Sequence, residues 1–353
     1  MHTILKGKGR EVVIGRDKPF VAIGEKINPT GSKKLAAALK EGNFDFVVAL
    51  AKRQIAWGAD ALDVNVGVPE IDEAATVSKL TELLAASVDV PLCIDSNSPQ
   101  VLEAGLKAAP GKPLVNSVNA EERSLNGILP IVKERGAAVI GLTFAEGGIP
   151  KTPEERVALA GKIIERAAQI GIPIEDVIID PLVMTVGSDS KAAQVTIQTI
   201  EALQREFGVN IILGASNVSF GLPDRHTVNQ AFLAMAIQAG ATCSITDPIK
   251  LGQTIRAAVV FASLLLLAGA MSLMTRLFRD REESLAPVPS GEATKEDEKA
   301  RAAAAAVAIA LAGQSQSAAR PLTLPEPALI GAWQLGMRTR QMTQKGETSR
   351  RSK

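Results

Sequence analysis

Tyrosine is absent from the 353-residue chain, and aromatic residues make up only 3% of it. That scarcity argues against an aromatic stacking surface for single-stranded nucleic acid. Cysteine and histidine occur twice each, as Cys93, Cys243, His2 and His226. These numbers exclude a disulfide framework, a thiolate zinc cluster and a His-rich metal site, so we expect no bound metal. Any chemistry must therefore rely on carboxylates, amides and hydroxyls.

The chain also lacks an excess of either charge. Lys and Arg total 39 against 38 Asp and Glu, so the formal net charge is +1 and offers no overall attraction for nucleic acid. A hydrophobic content of 46% excludes disorder of the whole chain. Residues 1–10 are polar and basic, without the apolar stretch of a signal peptide. We therefore expect a cytoplasmic globular protein with reduced thiols.

Short β-rich runs alternate with helical patterns from about residue 20 to residue 275. Eight of these runs are mostly continuous in Val, Ile and Leu, as in parallel strands covered by helices. They predict strands over residues 21–27, 61–67, 91–96, 113–119, 137–144, 177–183, 210–217 and 241–247. Eight β-then-α units in about 250 residues predict an α/β fold of the (β/α)₈ TIM-barrel type. A doubly wound sheet is the rival, but no strand leads into a G-x-G-x-x-G turn.

The barrel pattern divides the chain into three predicted regions. Residues 1–20 are predicted to form an N-terminal hairpin that covers one end of the barrel, and residues 21–278 the barrel itself. Residues 279–353 are predicted to contain a charged, Pro-rich linker, an Ala-rich helix at 301–313 and a basic flexible tail.

One uncharged apolar run, residues 257–275, is long enough to cross a bilayer. It follows the eighth predicted strand directly and falls where the eighth barrel helix must lie. We therefore interpret it as that helix, with a membrane span as the alternative. Because it is apolar nearly all round, its outer face needs cover from a second subunit or from residues 301–313.

Active sites of TIM barrels lie at the carboxyl ends of the strands, where this chain concentrates Asp and Asn. Side chains two residues apart on a strand point the same way, so Asp63 and Asn65 face the barrel mouth together, as do Asp95 and Asn97. We expect no histidine and no inward-reaching lysine at these ends, and we favour a helix-capping role for Asp247. The predicted polar ring comprises Glu25, Asn28, Asp63, Asn65, Asp95, Asn97, Asn116, Ser117, Asn119, Thr143, Asp180, Ser216, Asn217 and Asp247.

Three kinds of site could use such a ring. A Mg²⁺ site would use the carboxylates, but the amides outnumber what a hard cation wants. A glycosidase could pair Glu25 with Asp95, but this chain can scarcely provide the aromatic platforms of a sugar site. A neutral heterocycle with N–H donors and carbonyl acceptors fits best, because Asp accepts and Asn both donates and accepts. The side chains thus predict a pterin- or purine-like ligand without naming the reaction.

Six segments at these strand ends carry a family resemblance. They are residues 24–31 (GEKINPTG), 61–67 (ALDVNVG), 94–96 (IDS), 115–119 (VNSVN), 179–182 (IDPL) and 214–219 (GASNVS). Collinear over about residues 20–275, they resemble pterin-binding methyltransferases, specifically the methyltetrahydrofolate:corrinoid-protein methyltransferases related to the folate domain of cobalamin-dependent methionine synthase. The resemblance implies a (β/α)₈ barrel, usually homodimeric, that moves a methyl group between N5 of tetrahydrofolate and the cobalt of a corrinoid (cobalamin) on a partner protein.

The resemblance also implies residue roles. Asp95, Asn116 and Asp180 would hold the pterin ring by hydrogen bonds. Asn217 would bond near N5 and stabilise the proton that makes the folate amine a leaving group, with Asp95 in the proton network. Asn217 and Asp95 are therefore the implied catalytic residues. To these we add, from the polar residues at and after the strand ends, the further pterin-pocket candidates Glu25, Asn28, Asp63, Asn65, Ser117, Asn119 and Arg225.

The sequence lacks two motifs that related proteins carry, and each absence limits which activity the resemblance implies. Dihydropteroate synthase, which shares fold and pterin pocket, would show a Ser-Arg-Lys type sequence after strand seven, but residues 216–219 read SNVS. No cation follows until Arg225, which either faces the glutamate tail of folate or is a surface charge. The corrinoid ligand loop Asp-x-His-x-x-Gly has one candidate, residues 224–229 (DRHTVN), which ends in Asn.

We therefore expect His226 to start a helix and the corrinoid to be carried by a separate corrinoid-binding protein. We expect no nucleic-acid partner and no membrane contact. The alternative functions are a dihydropteroate synthase-like enzyme and a non-catalytic or membrane-tethered folate-binding barrel.

Overall fold

The computed structural model describes residues 1–248, and an eight-stranded sheet dominates them. Its neighbouring strands are all parallel, in the order β8-β7-β6-β5-β4-β3-β10-β9. A parallel bridge between Ile179 and Ile211 joins the two edges, so the sheet curls into the predicted barrel. The strands are β3 (Val21–Ile27), β4 (Ala61–Val64), β5 (Leu92–Asp95), β6 (Leu114–Asn119), β7 (Ala138–Leu142), β8 (Val177–Asp180), β9 (Ile212–Leu213) and β10 (Cys243–Thr246).

Helices fill every connection between β3 and β10. The first connection carries two, and each later one carries a single helix, which confirms the alternation of strand and helix read from the sequence. The helices are α1 (Lys33–Glu41), α2 (Phe44–Ala56), α3 (Glu73–Ser87), α4 (Pro99–Ala108), α5 (Glu122–Arg135), α6 (Pro153–Gln169), α7 (Ala192–Glu206) and α8 (Arg225–Ala239).

Strand β9 is much shorter than predicted. The sequence predicted a strand over residues 210–217, but the strand ends at Leu213 and Ala215–Asn217 forms a 3₁₀ turn. The backbone N–H of Asn217 donates to the carbonyl of Gly214 at 3.1 Å, which closes that turn. A continuous apolar pattern does not reveal such a turn, because the hydrogen bond that makes it involves backbone atoms alone.

An antiparallel hairpin closes the amino-terminal end of the barrel. Its strands are β1 (Thr3–Lys6) and β2 (Glu11–Ile14). Leu5, Val12 and Ile14 pack against the apolar side chains that fill the barrel near its amino-terminal end, here called the lower barrel. The buried amide of Asn210 donates to the hydroxyl of Thr3 at 2.9 Å and to the carbonyl of Ile14 at 3.1 Å. The hairpin therefore covers the end of the barrel opposite to the strand ends that carry Asp and Asn.

Several predicted features lie outside the described residues. These are the apolar segment 257–275 and the linker, helix and tail within 279–353, so the regional boundaries stay predictions. Among residues 1–248, no helix is both long and apolar enough to cross a membrane.

Gly7 tests how closely the hairpin packs on the barrel. A Cβ added at Gly7 would lie 2.2 Å from the carbonyl oxygen of Asp89, and backbone atoms cannot yield as a flexible side chain can. We expect Gly7→Ala to lower the free energy of unfolding by about 1–3 kcal/mol in urea titrations. Gly147→Ala is the matched control, because that position has no atom within 4 Å. Equal unfolding midpoints for the two variants would contradict this packing.

Candidate active site

Two amide–carboxylate pairs connect β4, β5 and β6 at the barrel mouth. The Asn116 Nδ2 donates to Asp63 Oδ1 at 3.0 Å, and the Asn65 Nδ2 donates to Asp95 Oδ2 at 2.9 Å. Asp63, Asp95 and Asn116 are buried, and Asn65 is half-buried. Because parallel strands end at one rim, residues far apart in the chain meet there. The structure thus brings these members of the predicted ring together.

Other asparagines of the ring bond within their own loops. The side-chain oxygen of Asn28 accepts from the N–H of Thr30 at 3.0 Å, and that of Asn119 accepts from the N–H of Glu121 at 2.9 Å. Such contacts fix the turn that follows an asparagine. Asn28 and Asn119 therefore shape the loops that leave β3 and β6.

Two further ring members lie next to the paired residues. Ser117 is half-buried on β6, where the peptide bond that joins it to Asn116 is cis. Asn97 lies beyond β5, which ends at Asp95; the chain bends there and Asn97 is exposed, so the strand alternation on which its shared direction with Asp95 was predicted does not reach it.

Asp180 lies at the end of β8, across the mouth from these pairs. Its Oδ1 accepts from the N–H of Leu182 at 2.8 Å. Its carbonyl accepts from the hydroxyl and the N–H of Thr143, at 3.1 and 3.2 Å. Thr143, a predicted ring member, is fully buried and therefore supports the backbone of Asp180.

Arg156 is a buried cation that sequence reasoning missed. It is 2% exposed, and its guanidinium donates to the carbonyls of Pro150, Pro181 and Leu182 at 3.0, 2.8 and 2.8 Å. Burial lowers the pKa of Arg156, and the negative charge of Asp180 opposes that shift. A signal was present, since Arg156 shares the helical spacing of the apolar face that continues at Ala160 and Ile163.

Asn217 lies exposed at the end of the 3₁₀ turn, and Arg225 holds the loop that carries it. The Arg225 guanidinium donates to the carbonyl of Ser216 at 2.8 Å and to the hydroxyl of Ser219 at 3.2 Å. It also lies over the ring of Phe220, 5.5 Å from the centroid. Neither interpretation of Arg225 from sequence included this support of the loop.

His226 lies in the first turn of α8, as expected from the sequence. The side chain of Asp224 caps this helix by accepting from the N–H of Thr227 at 3.2 Å. A hydrogen bond with the side chain of Thr227, and after it the one from the Thr227 N–H, lower the pKa of Asp224. The segment 224–229 therefore serves as a helix start.

The expectation that no lysine reaches the mouth is wrong, because Lys26 does so. Its Nζ lies 2.9 Å from Asp247 Oδ2 and 3.7 Å from Glu25 Oε1. The pairing of β3 with β4 shifts register between Gly24 and Ile27, which breaks the alternation on which the expectation rested. Asp247 thus forms an ion pair that joins β3 to the end of β10. The helix that it is predicted to cap lies outside the described residues, so that role stays a prediction.

Residues 1–248 contain no cluster of three or more His, Cys, Asp or Glu side chains that could hold a metal ion. The carboxylates at the mouth instead bond to amides, to backbone N–H groups and to Lys26. Such an arrangement suits an organic ring that carries both donors and acceptors.

Comparison with known proteins agrees with this arrangement. A family model described as "Pterin binding enzyme" matches residues 24–247. The chain belongs to the pterin-binding enzyme family. Every candidate site residue from Glu25 to Arg225 lies inside the matched range.

Relatives and solved structures extend the comparison. Methionine synthase of Mycobacterium tuberculosis is 32% identical over 253 residues, which are 68% of this chain and 21% of that protein, so the chain spans about a fifth of this relative. Methylcorrinoid:tetrahydrofolate methyltransferase of Eubacterium limosum is 31% identical over 236 residues, 65% of this chain and 85% of that protein. Dihydropteroate synthase of Xanthomonas albilineans with 4-aminobenzoic acid shares the fold, with a TM-score of 0.57 at 21% identity over 75% of this chain and 99% of that one.

The two thiols of this pterin-binding enzyme lie in the lower barrel, and both are fully buried. Burial raises the pKa of Cys93 well above its usual value, and the neighbouring charge of Asp63 raises it further. Burial likewise raises the pKa of Cys243. Both thiols therefore stay protonated near neutral pH and cannot act as nucleophiles.

We expect neither thiol to react with a chromogenic disulfide reagent at about pH 8 in the native protein, and both to react in urea, because the thiolate is the reactive form. Glu103→Cys on the exposed face of α4 supplies a reactive reference thiol. Stoichiometric labelling of the native wild-type protein would show that the lower barrel opens to solvent.

Proposed function

We propose that this pterin-binding enzyme is a methyltransferase that moves a methyl group between N5 of tetrahydrofolate and the cobalt of a corrinoid carried by a separate protein. The observation that carries the proposal is the network of Asp63, Asn65, Asp95 and Asn116 at the barrel mouth. The likeness to the methylcorrinoid:tetrahydrofolate methyltransferase of Eubacterium limosum supports it.

The pterin ring is held by its polar edge. A pterin presents amino and ring N–H donors beside carbonyl and ring-nitrogen acceptors, which match Asp95, Asn116 and Asp180. Because Asn116 Nδ2 already donates to Asp63, the Asn116 amide oxygen is directed to accept from a ring N–H. Asp63 therefore sets which atom of Asn116 meets the ligand. Glu25, Asn28, Asn65, Ser117 and Asn119 complete the proposed pocket.

Protonation of N5 is the chemical step that the protein promotes. A neutral tertiary amine would leave as a very basic amide anion, whereas protonated N5 keeps the C–N bonding electrons and leaves as a neutral amine. Asn217 accepts a hydrogen bond from that N–H through its amide oxygen, which by analogy with oxyanion-hole donors is worth about 2–4 kcal/mol. An amide is not an acid at neutral pH, so the proton reaches N5 from solvent through a network that includes Asp95.

The place of Asn217 suits a nucleophile that arrives from outside. Asn217 is exposed at the carboxyl end of the barrel, so N5 held beside it faces a docking protein. The corrinoid supplies the methyl-accepting or methyl-donating cobalt when its carrier docks. The same residues serve methyl transfer in both directions, because Asn217 holds the N5 proton in the forward and in the reverse reaction.

The loop after β9 argues against dihydropteroate synthesis. That reaction must stabilise a diphosphate leaving group, which needs cations. Residues 214–224 contain no Lys or Arg, and the guanidinium of Arg225 bonds to Ser216 and Ser219. The likeness to dihydropteroate synthases therefore extends to the fold and not to this step.

The proposal also covers the location, oligomeric state and partners of the enzyme. We propose a cytoplasmic homodimer that meets a corrinoid protein and has no nucleic-acid partner. A formal net charge of +1 supports the last point. The folate is substrate, so the chain itself needs no resident cofactor.

Asn217→Ala tests the proton-holding role. We expect methyl transfer to slow by about 100-fold, with a much smaller change in folate affinity, because the lost hydrogen bond strengthens as N5 gains its proton. Single-turnover transfer from methyltetrahydrofolate to reduced cobalamin, followed by loss of the Co(I) spectrum, measures it. Asn126→Ala, at an exposed position on α5, is the control. An unchanged rate in Asn217→Ala would remove this residue from the mechanism.

Asp180→Asn tests the pterin contact. We expect tetrahydrofolate to bind about tenfold more weakly or worse, because an amide replaces a charged acceptor and presents N–H groups to the N–H donors of the ring. Isothermal calorimetry measures the affinity, with Asp45→Asn on the exposed face of α2 as the control. Wild-type affinity in Asp180→Asn would show that the pterin is held elsewhere.

A further inference from the structure

The buried guanidinium of Arg156 has no place in the pterin pocket described so far. It is 2% exposed, and it lies on the face of α6 that packs inward with Val157, Ala160 and Ile163. Other basic residues of this helix, such as Arg166, bond at the surface. A cation is costly to bury unless hydrogen-bond partners surround it, so the partners of Arg156 indicate its purpose.

Those partners are carbonyl groups of the chain that follows Asp180. The Arg156 Nη1 donates to the carbonyls of Pro181 and Leu182, each at 2.8 Å. From α7, the fully buried hydroxyl of Thr196 lies 3.1 Å from the same Leu182 carbonyl and 3.1 Å from the carbonyl of Ala192, and it shares its one hydrogen between these two acceptors. Two helices therefore hold one short turn, and the contacts from Arg156 are charge-assisted.

That turn has a backbone conformation that needs such support. Leu182 has a φ of 62°, in the left-handed region that residues with a Cβ seldom adopt. Its N–H nevertheless donates to the Asp180 carboxylate at 2.8 Å. The orientation of that carboxylate thus depends on the backbone of Leu182, which Arg156 and Thr196 hold in place.

We infer that Arg156 is a positioning residue that fixes the turn from Asp180 to Leu182 and so aims the Asp180 carboxylate at the pterin. This inference rests on the proposed function. Arg156 is too buried to touch a ligand in the mouth, so it acts through Asp180 alone. Its loss should therefore weaken pterin binding and leave the transfer step nearly unchanged once folate is saturating.

The effect of the turn on pterin binding can be tested with three variants: Arg156→Met, Arg156→Lys and Thr196→Val. We expect the dissociation constant of tetrahydrofolate to rise about tenfold in Arg156→Met, with partial recovery in Arg156→Lys and a smaller rise in Thr196→Val. Single-turnover rates at saturating folate should stay within about threefold of wild type. Arg166→Met is the matched control on the same helix. A general loosening of the barrel would instead lower rate and affinity together in every variant, which would overturn the inference.

A double-mutant cycle with Asp180→Asn tests whether Arg156 acts through Asp180. We expect Arg156→Met to raise the dissociation constant no further in the Asp180→Asn background, because the carboxylate that it positions is gone. Full additivity would overturn the inference. Thr196→Val, which removes a single hydroxyl, carries the same cycle if Arg156→Met does not fold.

These measurements distinguish a failure of the proposed function from a failure of the inference about Arg156. A wild-type protein that binds no tetrahydrofolate would overturn the proposed function and this inference with it. Wild-type binding with unchanged affinity in folded Arg156 and Thr196 variants would overturn this inference alone.

Discussion

Closure of the parallel sheet, made where Ile179 of β8 pairs with Ile211 just before β9, places the carboxyl ends of all eight strands on one rim. Backbone hydrogen bonds between parallel strands set the height of each end, so the side chains that follow the strands share one opening. The hairpin of β1 and β2 fills the other end with apolar side chains. Polar groups are therefore directed to a single mouth, and the candidate site depends on this asymmetry.

The carboxylates gathered at the mouth are stabilised by two kinds of partner. On the side of β4, β5 and β6, buried carboxylates accept from the amides of Asn65 and Asn116. Where β3 meets β10, Lys26 neutralises Asp247. Buried polar groups must find such partners, and here the partners also fix the direction in which each side chain points. The side chains at the mouth are thus held in place by contacts within the protein.

Two arginines stabilise the loops of the proposed site through backbone carbonyls. Arg156 bonds to the carbonyls that follow Asp180, and Arg225 bonds to the carbonyl that precedes Asn217. A guanidinium presents several donors in a rigid plane, so one side chain can hold a turn that has no regular hydrogen-bond ladder. Residues proposed to bind the pterin and to hold the N5 proton therefore rest on loops whose geometry is set in advance.

Local patterns in the sequence by themselves predicted the eight strands and the helices between them, because apolar periodicity depends on near neighbours. The same patterns put Asp and Asn at the strand ends. Only the tertiary structure decided that β9 ends at Leu213, that Lys26 reaches Asp247 and that Arg156 is buried. These outcomes depend on strand register and on partners far apart in the chain, which no local window contains. The polar residue types of the candidate site could therefore be predicted from the sequence, while their pairings required the closed barrel.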